Sequence, residues 1–184
     1  ASVYGNPKIQ KVKETDPTDP LNPYASSKLE LENFIRETSK HYNSKYIILR
    51  YFNVAGADTK LRCGFNVKKG YNLILNLCAA SLKKKIFKIN GNNYKTKDGT
   101  TIRDYIHVQD LARIHLLAAN QVLNKKIFKI FNCGYGNGYS VMEIFKKFNS
   151  ISDSKIKFKI GKRRDSDIII SIAVKIYKGF KPNI

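Results

Sequence analysis

Tyr24 and Lys28 stand four residues apart at the head of an apolar-periodic stretch that runs through Leu31, Ile35 and Thr38. Positions i and i+4 share a helix face, so the phenol and the ammonium can enter one cleft. A neighbouring cation favours phenolate over phenol, and a group with a pKa near ~10 then becomes a usable proton acceptor close to neutral pH. The same spacing also describes a surface tyrosine beside a solvated lysine, so the pair decides nothing by itself. Two further features carry chemistry. Arg103 offers a rigid fork of donors that suits a diphosphate better than a lysine does. Tyr51, Phe52 and Asn53 follow Ile47-Ile48-Leu49-Arg50, which reads as a buried parallel strand, and such strands deliver site residues at their carboxyl ends.

The elements that position these residues are legible in outline. A proline-punctuated loop over residues 6 to 23 precedes a helix from about Tyr24 to Tyr42. Residues Ala57 to Gly70 read as a loop, Asn72-Leu73-Ile74 as the opening of a helix reaching Leu82, and Phe87 to Asn90 as a short strand with a turn beyond it. Asp110 is the expected N-cap of a helix from Leu111 to Leu123, and Ser140 that of a helix from Val141 to Phe148. Phe128 to Cys133 is a further strand. Asp104 and Tyr105 are expected to brace their strand. His107 reads as structural, and with His115 it lacks a third ligand, so no metal site is expected.

Composition sets outer limits. The 184 residues suffice for one sizeable core or parts of two domains. A formal net charge of +20 favours contact with nucleic acid or anionic membrane. The lysines are nevertheless scattered, from Lys8 to Lys159, and lie beside Ile and Asn, which indicates a compositional bias and no specific nucleic-acid partner. No apolar run is long enough to cross a bilayer, so no membrane association is expected. Cys63, Cys78 and Cys133 lack metal spacing and read as reduced core or near-core thiols, which suits a cytoplasmic protein.

Ser2-Val3-Tyr4-Gly5, Pro23 to Lys28, Leu49 to Ala57, Asp98 to Ala112, Phe131 to Ser140 and Arg163 to Asp167 occur in an order and at a spacing with a known counterpart. In these blocks the chain resembles the UDP-glucose 4-epimerases, nucleotide-sugar members of the extended short-chain dehydrogenase/reductase family. The resemblance covers essentially the whole chain. It implies an α/β fold: the carboxyl-terminal part of a Rossmann-like parallel sheet, joined to a smaller mixed α/β substrate-binding domain. Residues 1–57 would belong to the NAD-binding domain, and 58–184 mainly to the UDP-sugar domain, with some segments returning to the first.

The resemblance also implies roles. Tyr24 and Lys28 would be catalytic and, with Tyr51 and Phe52, would contact NAD. Asn53, Asn72, Leu73, Lys88, Asn90, Arg103, Arg164, Asp167 and Ser171 would bind the UDP-sugar. A small residue at the position of Ser171 would admit N-acetylated sugars. Three departures stand out: the loop after Ala57 is basic, Asn90 replaces an aromatic residue, and Ser166 replaces a glycine. The glycine-rich phosphate turn and the catalytic serine or threonine would lie upstream of Ala1, and Ser2 does not inherit that role. Without them the 184 residues are expected to be inactive, and the intact enzyme is expected to be a homodimer built on the Tyr24 helix, with Leu29, Glu32, Phe34 and Arg36 on its outward arcs. Another NAD-dependent nucleotide-sugar epimerase or dehydratase, or a non-catalytic basic nucleic-acid-binding protein, remain alternative readings.

Overall fold

The computed structural model describes residues 1–64, 72–124, 127–174, 177 and 180–182. The expected loop from Ala57 to Gly70 therefore lies outside the described residues from position 65 onward.

Helix α1 spans Pro23–Tyr42. Asn22 caps it by accepting from the Ala25 N–H at 2.9 Å, and Pro23 sits where a helix needs no donor. Asn43, in the left-handed conformation, ends it. Its buried residues are Ala25, Glu32 and Ser39, one stripe at a seven-residue spacing. Leu29 packs on a core cluster. Leu29 and Glu32 thus face the body of the protein and not an outward arc, a correction to the sequence reading, while Phe34 is exposed.

Strand β1 (Tyr46–Tyr51) pairs in parallel with β5 (Phe128–Cys133). The chain then leaves this sheet. Strand β2 (Asn53–Ala55) pairs in parallel with β4 (Ile102–His107), which also meets β6 (Gly138–Ser140) antiparallel and β8 (Ile170–Ser171) parallel. A third, two-stranded sheet joins β3 (Phe87–Asn90) to β7 (Phe158–Gly161) in parallel. Three more helices cover these sheets: α2 (Leu73–Leu82), α3 (Val108–Asn124) and α4 (Val141–Ile151). The result is α/β with predominantly parallel pairing.

Among the described residues, three core clusters hold these layers. Leu77, Phe87, Ile89, Phe145 and Ile156 join α2 and α4 to β3. Ile106, Leu111, Ile114 and Cys133 join α3 to β4 and β5, with Leu49 of β1 packed against them. Val3, Tyr4, Val12, Phe52 and Ala173 form the third.

Several local expectations are corrected. Helix α3 starts at Val108, so Asp110 lies inside its first turn; its carboxylate accepts from the Tyr135 hydroxyl at 2.6 Å, and the ring Nδ1 of His107 accepts from the Gln109 N–H instead. Cys63 and Cys78 are exposed; only Cys133 is core, where burial pushes its thiol up to about 12. Ser140 does cap α4, in a reciprocal arrangement with Glu143.

Candidate active site

Alternation along β1 puts Ile48 and Arg50 on one face and Leu49 and Tyr51 on the other. The Arg50 face meets α1. There the guanidinium grips the Glu32 carboxylate through Nε at 3.0 and 3.1 Å and Nη2 at 2.6 Å, and its Nη1 donates to the Tyr4 hydroxyl at 2.9 Å. The Tyr4 hydroxyl in turn donates to Asn132 Oδ1 at 2.7 Å, and Asn132 Nδ2 donates to the Val12 carbonyl at 3.0 Å. This buried network fixes α1 against β1. With the Glu32 stripe turned inward, the face carrying Tyr24, Lys28, Leu31 and Ile35 is left to line a cavity of about 620 Å³.

The cavity runs beside β1. Tyr24 is 61% exposed, and the Lys28 Nζ lies 5.3 Å from the centroid of its ring. Tyr51, Asn53, Arg103 and Ser171 border the same space, the last two adjacent in the β4/β8 register. Phe52 also borders it, although it is only 5% exposed and packs in the core with Val3 and Ala173. His115 of α3 completes that wall, with its ring tilted against Tyr51 at 6.4 Å.

A second, smaller cavity of about 150 Å³ adjoins it and shares Asn53 and Arg103. Its other expected residues are Leu73, Lys88, Asn90, Arg164 and Asp167. Asn72 does not line it. It caps α2 by accepting from the Ile74 and Leu75 N–H groups at 2.9 and 3.3 Å, and its own amide donates to the Val54 carbonyl at 3.0 Å, which ties α2 to β2.

Arg103 is the hinge of the two spaces. Its Nη1 donates to the Ile102 and Ile169 carbonyls at 2.9 and 3.3 Å. Its other donors have no hydrogen-bond partner among the described residues. Since no buried side-chain polar atom there lacks a partner, those donors are open to the cavities. Burial lowers the pKa of Arg103, partly offset by the charge of Asp167, yet a guanidinium remains protonated at any ordinary pH. A half-buried cation with idle donors is a ready anion site.

Arg164 and Asp167 stand 4.0 Å apart, and Asn90, with its amide oxygen toward Arg164, accepts from Nη2 and Nε at 3.0 and 3.2 Å. Asn90 thus orients a guanidinium. The Lys88 side chain lies across Gly161, where an added Cβ would overlap it.

Sequence reasoning missed four contributors. Tyr105, expected to brace β4, lines the second cavity, where burial pushes its phenol up to about 12. Thr100 and Thr101 line it as well. Tyr94, 4% exposed, donates to Asp167 at 2.8 Å. For Tyr105 the signal was available: it is two residues from Arg103 on one strand, hence on the same face. Tyr94 carried none, because its partner is 73 residues away.

Among the described residues no helix is long and apolar enough to cross a membrane. Residues 1–134 match the NAD dependent epimerase/dehydratase family. The UDP-glucose 4-epimerase of Azospirillum brasilense is 40% identical over 168 residues, which are 91% of this chain and 48% of that protein. A crystal structure of UDP-glucose 4-epimerase from Bifidobacterium longum in complex with NAD+ and UDP superimposes with a TM-score of 0.88 at 36% identity, covering 94% of this chain and 52% of that one. A second, from Stenotrophomonas maltophila with bound NAD and formylated UDP-arabinopyranose, gives a TM-score of 0.88 at 34% identity, with 94% and 52% covered. The chain spans about half the length of these relatives, and the α/β layers with parallel sheets are the part of a Rossmann-like fold that it shares with them. On the matched residues, the chain belongs to the NAD dependent epimerase/dehydratase family.

Proposed function

We propose that this chain supplies the sugar-nucleotide site and the acid/base pair of a UDP-glucose 4-epimerase that interconverts UDP-glucose and UDP-galactose in cytoplasmic galactose metabolism. The observation that carries the reading is that Asn53 and Arg103 border both cavities. One elongated ligand can then lay its sugar beside Tyr24 while Arg103 and Arg164 hold its diphosphate and Asp167, Asn90, Lys88 and Leu73 receive the nucleoside. Asn72 acts through α2, whose first turn it secures.

The first cavity fits one end of NAD. Its wall joins the phenol of Tyr24, the ammonium of Lys28 and the aromatic face of Tyr51, with Phe52 behind. A flat ring can lie on such a wall. The bound nicotinamide supplies hydride acceptance and return at sugar C4. Tyr24 takes the proton of the 4-hydroxyl and gives it back, and Lys28 stabilises the phenolate by its charge. Arg103 and Arg164 keep the diphosphate in place while the sugar presents either face to Tyr24.

In this reading residues 1–57 belong to the dinucleotide domain and 58–184 mainly to the sugar-nucleotide domain, with β5 returning to pair with β1. Turnover requires the remainder of the fold, since the relatives are about twice as long. The three unpaired cysteines suit a reducing compartment. Exposed Phe34 on α1 suits a homodimer, which light scattering on the full-length protein tests: a monomer at tens of micromolar rejects it.

The test uses the full-length protein that carries this chain, with UDP-galactose as substrate. Tyr24→Phe is expected to lower kcat by roughly 10²–10⁴-fold, as removal of a general acid/base does, with KM little changed. A variant within tenfold of the parent overturns the assignment. UDP-N-acetylgalactosamine is expected to turn over as well, because the residue bordering the first cavity at this position, Ser171, is small; no conversion beside normal UDP-galactose activity rejects that breadth.

A further inference from the structure

Tyr94 is anchored on three sides beside the second cavity, although it is not among the residues that line it. Its hydroxyl donates to Asp167 Oδ2 at 2.8 Å. The Arg163 guanidinium lies 4.1 Å from the centroid of its ring, a cation stacked on an aromatic face. Its N–H donates to the Gly99 carbonyl at 3.0 Å, closing the turn after β3. Gly91, at φ +77°, lets the ring and Arg163 approach: a Cβ there would stand 2.9 Å from Tyr94 Cε2 and 3.2 Å from Arg163 Cβ.

Among the described residues that line this cavity, Asp167 is the only carboxylate, beside Lys88, Arg103 and Arg164. At 4.0 Å the Arg164 guanidinium is too distant for a direct hydrogen bond to Oδ1. One carboxylate oxygen is therefore pinned by Tyr94 and the other is left to accept. In a cavity otherwise supplied with cationic donors, an accepting carboxylate selects a ligand's hydroxyl groups. Resting on the UDP-sugar reading above, we infer that Tyr94 is a positioning residue that aims Asp167 at the ribose hydroxyls of the bound nucleotide and so sets the preference for ribonucleotides. Burial, and then the adjacent Asp167, raise the pKa of the phenol, so it remains a protonated donor throughout the neutral range.

The experiment compares UDP with 2′,3′-dideoxy-UDP by calorimetric titration of the full-length protein that carries this chain. The parent is expected to bind UDP more tightly by roughly tenfold or more, the scale of a hydrogen bond to a charged group. Tyr94→Phe keeps the ring, its burial and its stacking, and is expected to bring that ratio to roughly threefold or less while affinity for the dideoxy nucleotide stays unchanged. In an Asp167→Asn background Tyr94→Phe should add nothing. Arg163→Gln, which frees the ring without removing the phenol, should narrow the ratio in part, and it replaces Tyr94→Phe if that variant does not fold. A parent that fails to bind UDP overturns the UDP-sugar reading and this inference with it. A parent that discriminates, with variants that discriminate equally, leaves that reading standing and overturns the role of Tyr94.

Discussion

The two adjoining cavities are built on opposite plans. In the first, the side chains proposed to react are themselves loosely held: Tyr24 is 61% exposed, and the Lys28 Nζ lies over its ring without a hydrogen bond to it. Its rigidity comes from behind, where Glu32, Arg50, Tyr4 and Asn132 lock α1 to β1. In the second, the lining groups are individually braced: Asp167 by Tyr94, Arg164 by Asn90, Arg103 by two carbonyls. The difference follows from the work proposed for each. In that reading a proton-passing group needs open space in which the sugar can turn before it, whereas a clamp must hold one nucleotide in one pose.

Breaking the support behind the first cavity should give the largest effect. Arg50 and Glu32 are both buried, and removing one partner leaves a buried charge uncompensated, which costs about 3–5 kcal/mol. Glu32→Gln is therefore expected to lower the stability of the full-length protein by an amount in that range, measured by urea unfolding. Its folded fraction should bind UDP as the parent does, because the second cavity does not depend on this pair. A loss of UDP affinity as large as the loss of stability would mean that the two cavities are not separately supported.

The next effect sharpens the boundary between them. Arg103→Met removes the idle donors shared by both spaces. Hydrogen bonds to charged groups contribute about 1.5–3 kcal/mol each, so UDP affinity should fall roughly tenfold to hundredfold, with a weaker salt dependence. Tyr24→Phe should leave UDP affinity within about twofold of the parent by the same titration, since Tyr24 lines only the first cavity. An equal fall in both variants would merge the cavities into one site.

What the sequence made legible follows the same divide. Local signals were sufficient for α1 after its proline-punctuated loop, for the Ser140 cap of α4, and for the strands before Asn53 and at Phe87, whereas the Asn22 cap and the reciprocal Glu143 contact emerged only from the structure. Residues that reach a cavity from the end of a strand or the start of a helix were legible for that reason. Partnerships across the fold were not. The sequence reading puts Glu32 on an outward arc of its helix, where Arg50 in fact meets it from β1, and makes Asp110 a cap, although its carboxylate accepts from Tyr135. The resemblance implies a ligand-binding role for Asp167, but nothing near it in the chain names Tyr94 as its partner. The braces of the second cavity are long-range by nature, so neither spacing nor the resemblance points to them.

The smallest expected effect probes one such brace by pH. Asp98 accepts from the Thr100 N–H at 2.9 Å, from the Thr100 hydroxyl at 2.7 Å and from the Ser140 hydroxyl, which joins the turn before β4 to the cap of α4 beside the second cavity. Burial is the largest single influence and acts to raise its pKa, but the Ser140 and Thr100 donors together outweigh it and hold the carboxyl below its ordinary value of 3.8. A carboxyl depressed in the folded state binds its proton more readily once unfolded. Its contribution to stability is therefore complete above about pH 4–5 and is lost as pH falls through the depressed folded value. Asp98→Asn keeps one acceptor but removes this titration. The parent should exceed the variant in urea midpoint at pH 7, and the gap should shrink between pH 5 and pH 3. A gap independent of pH would show that the charge of Asp98 is not what its donors favour, and the brace would then be one of shape alone.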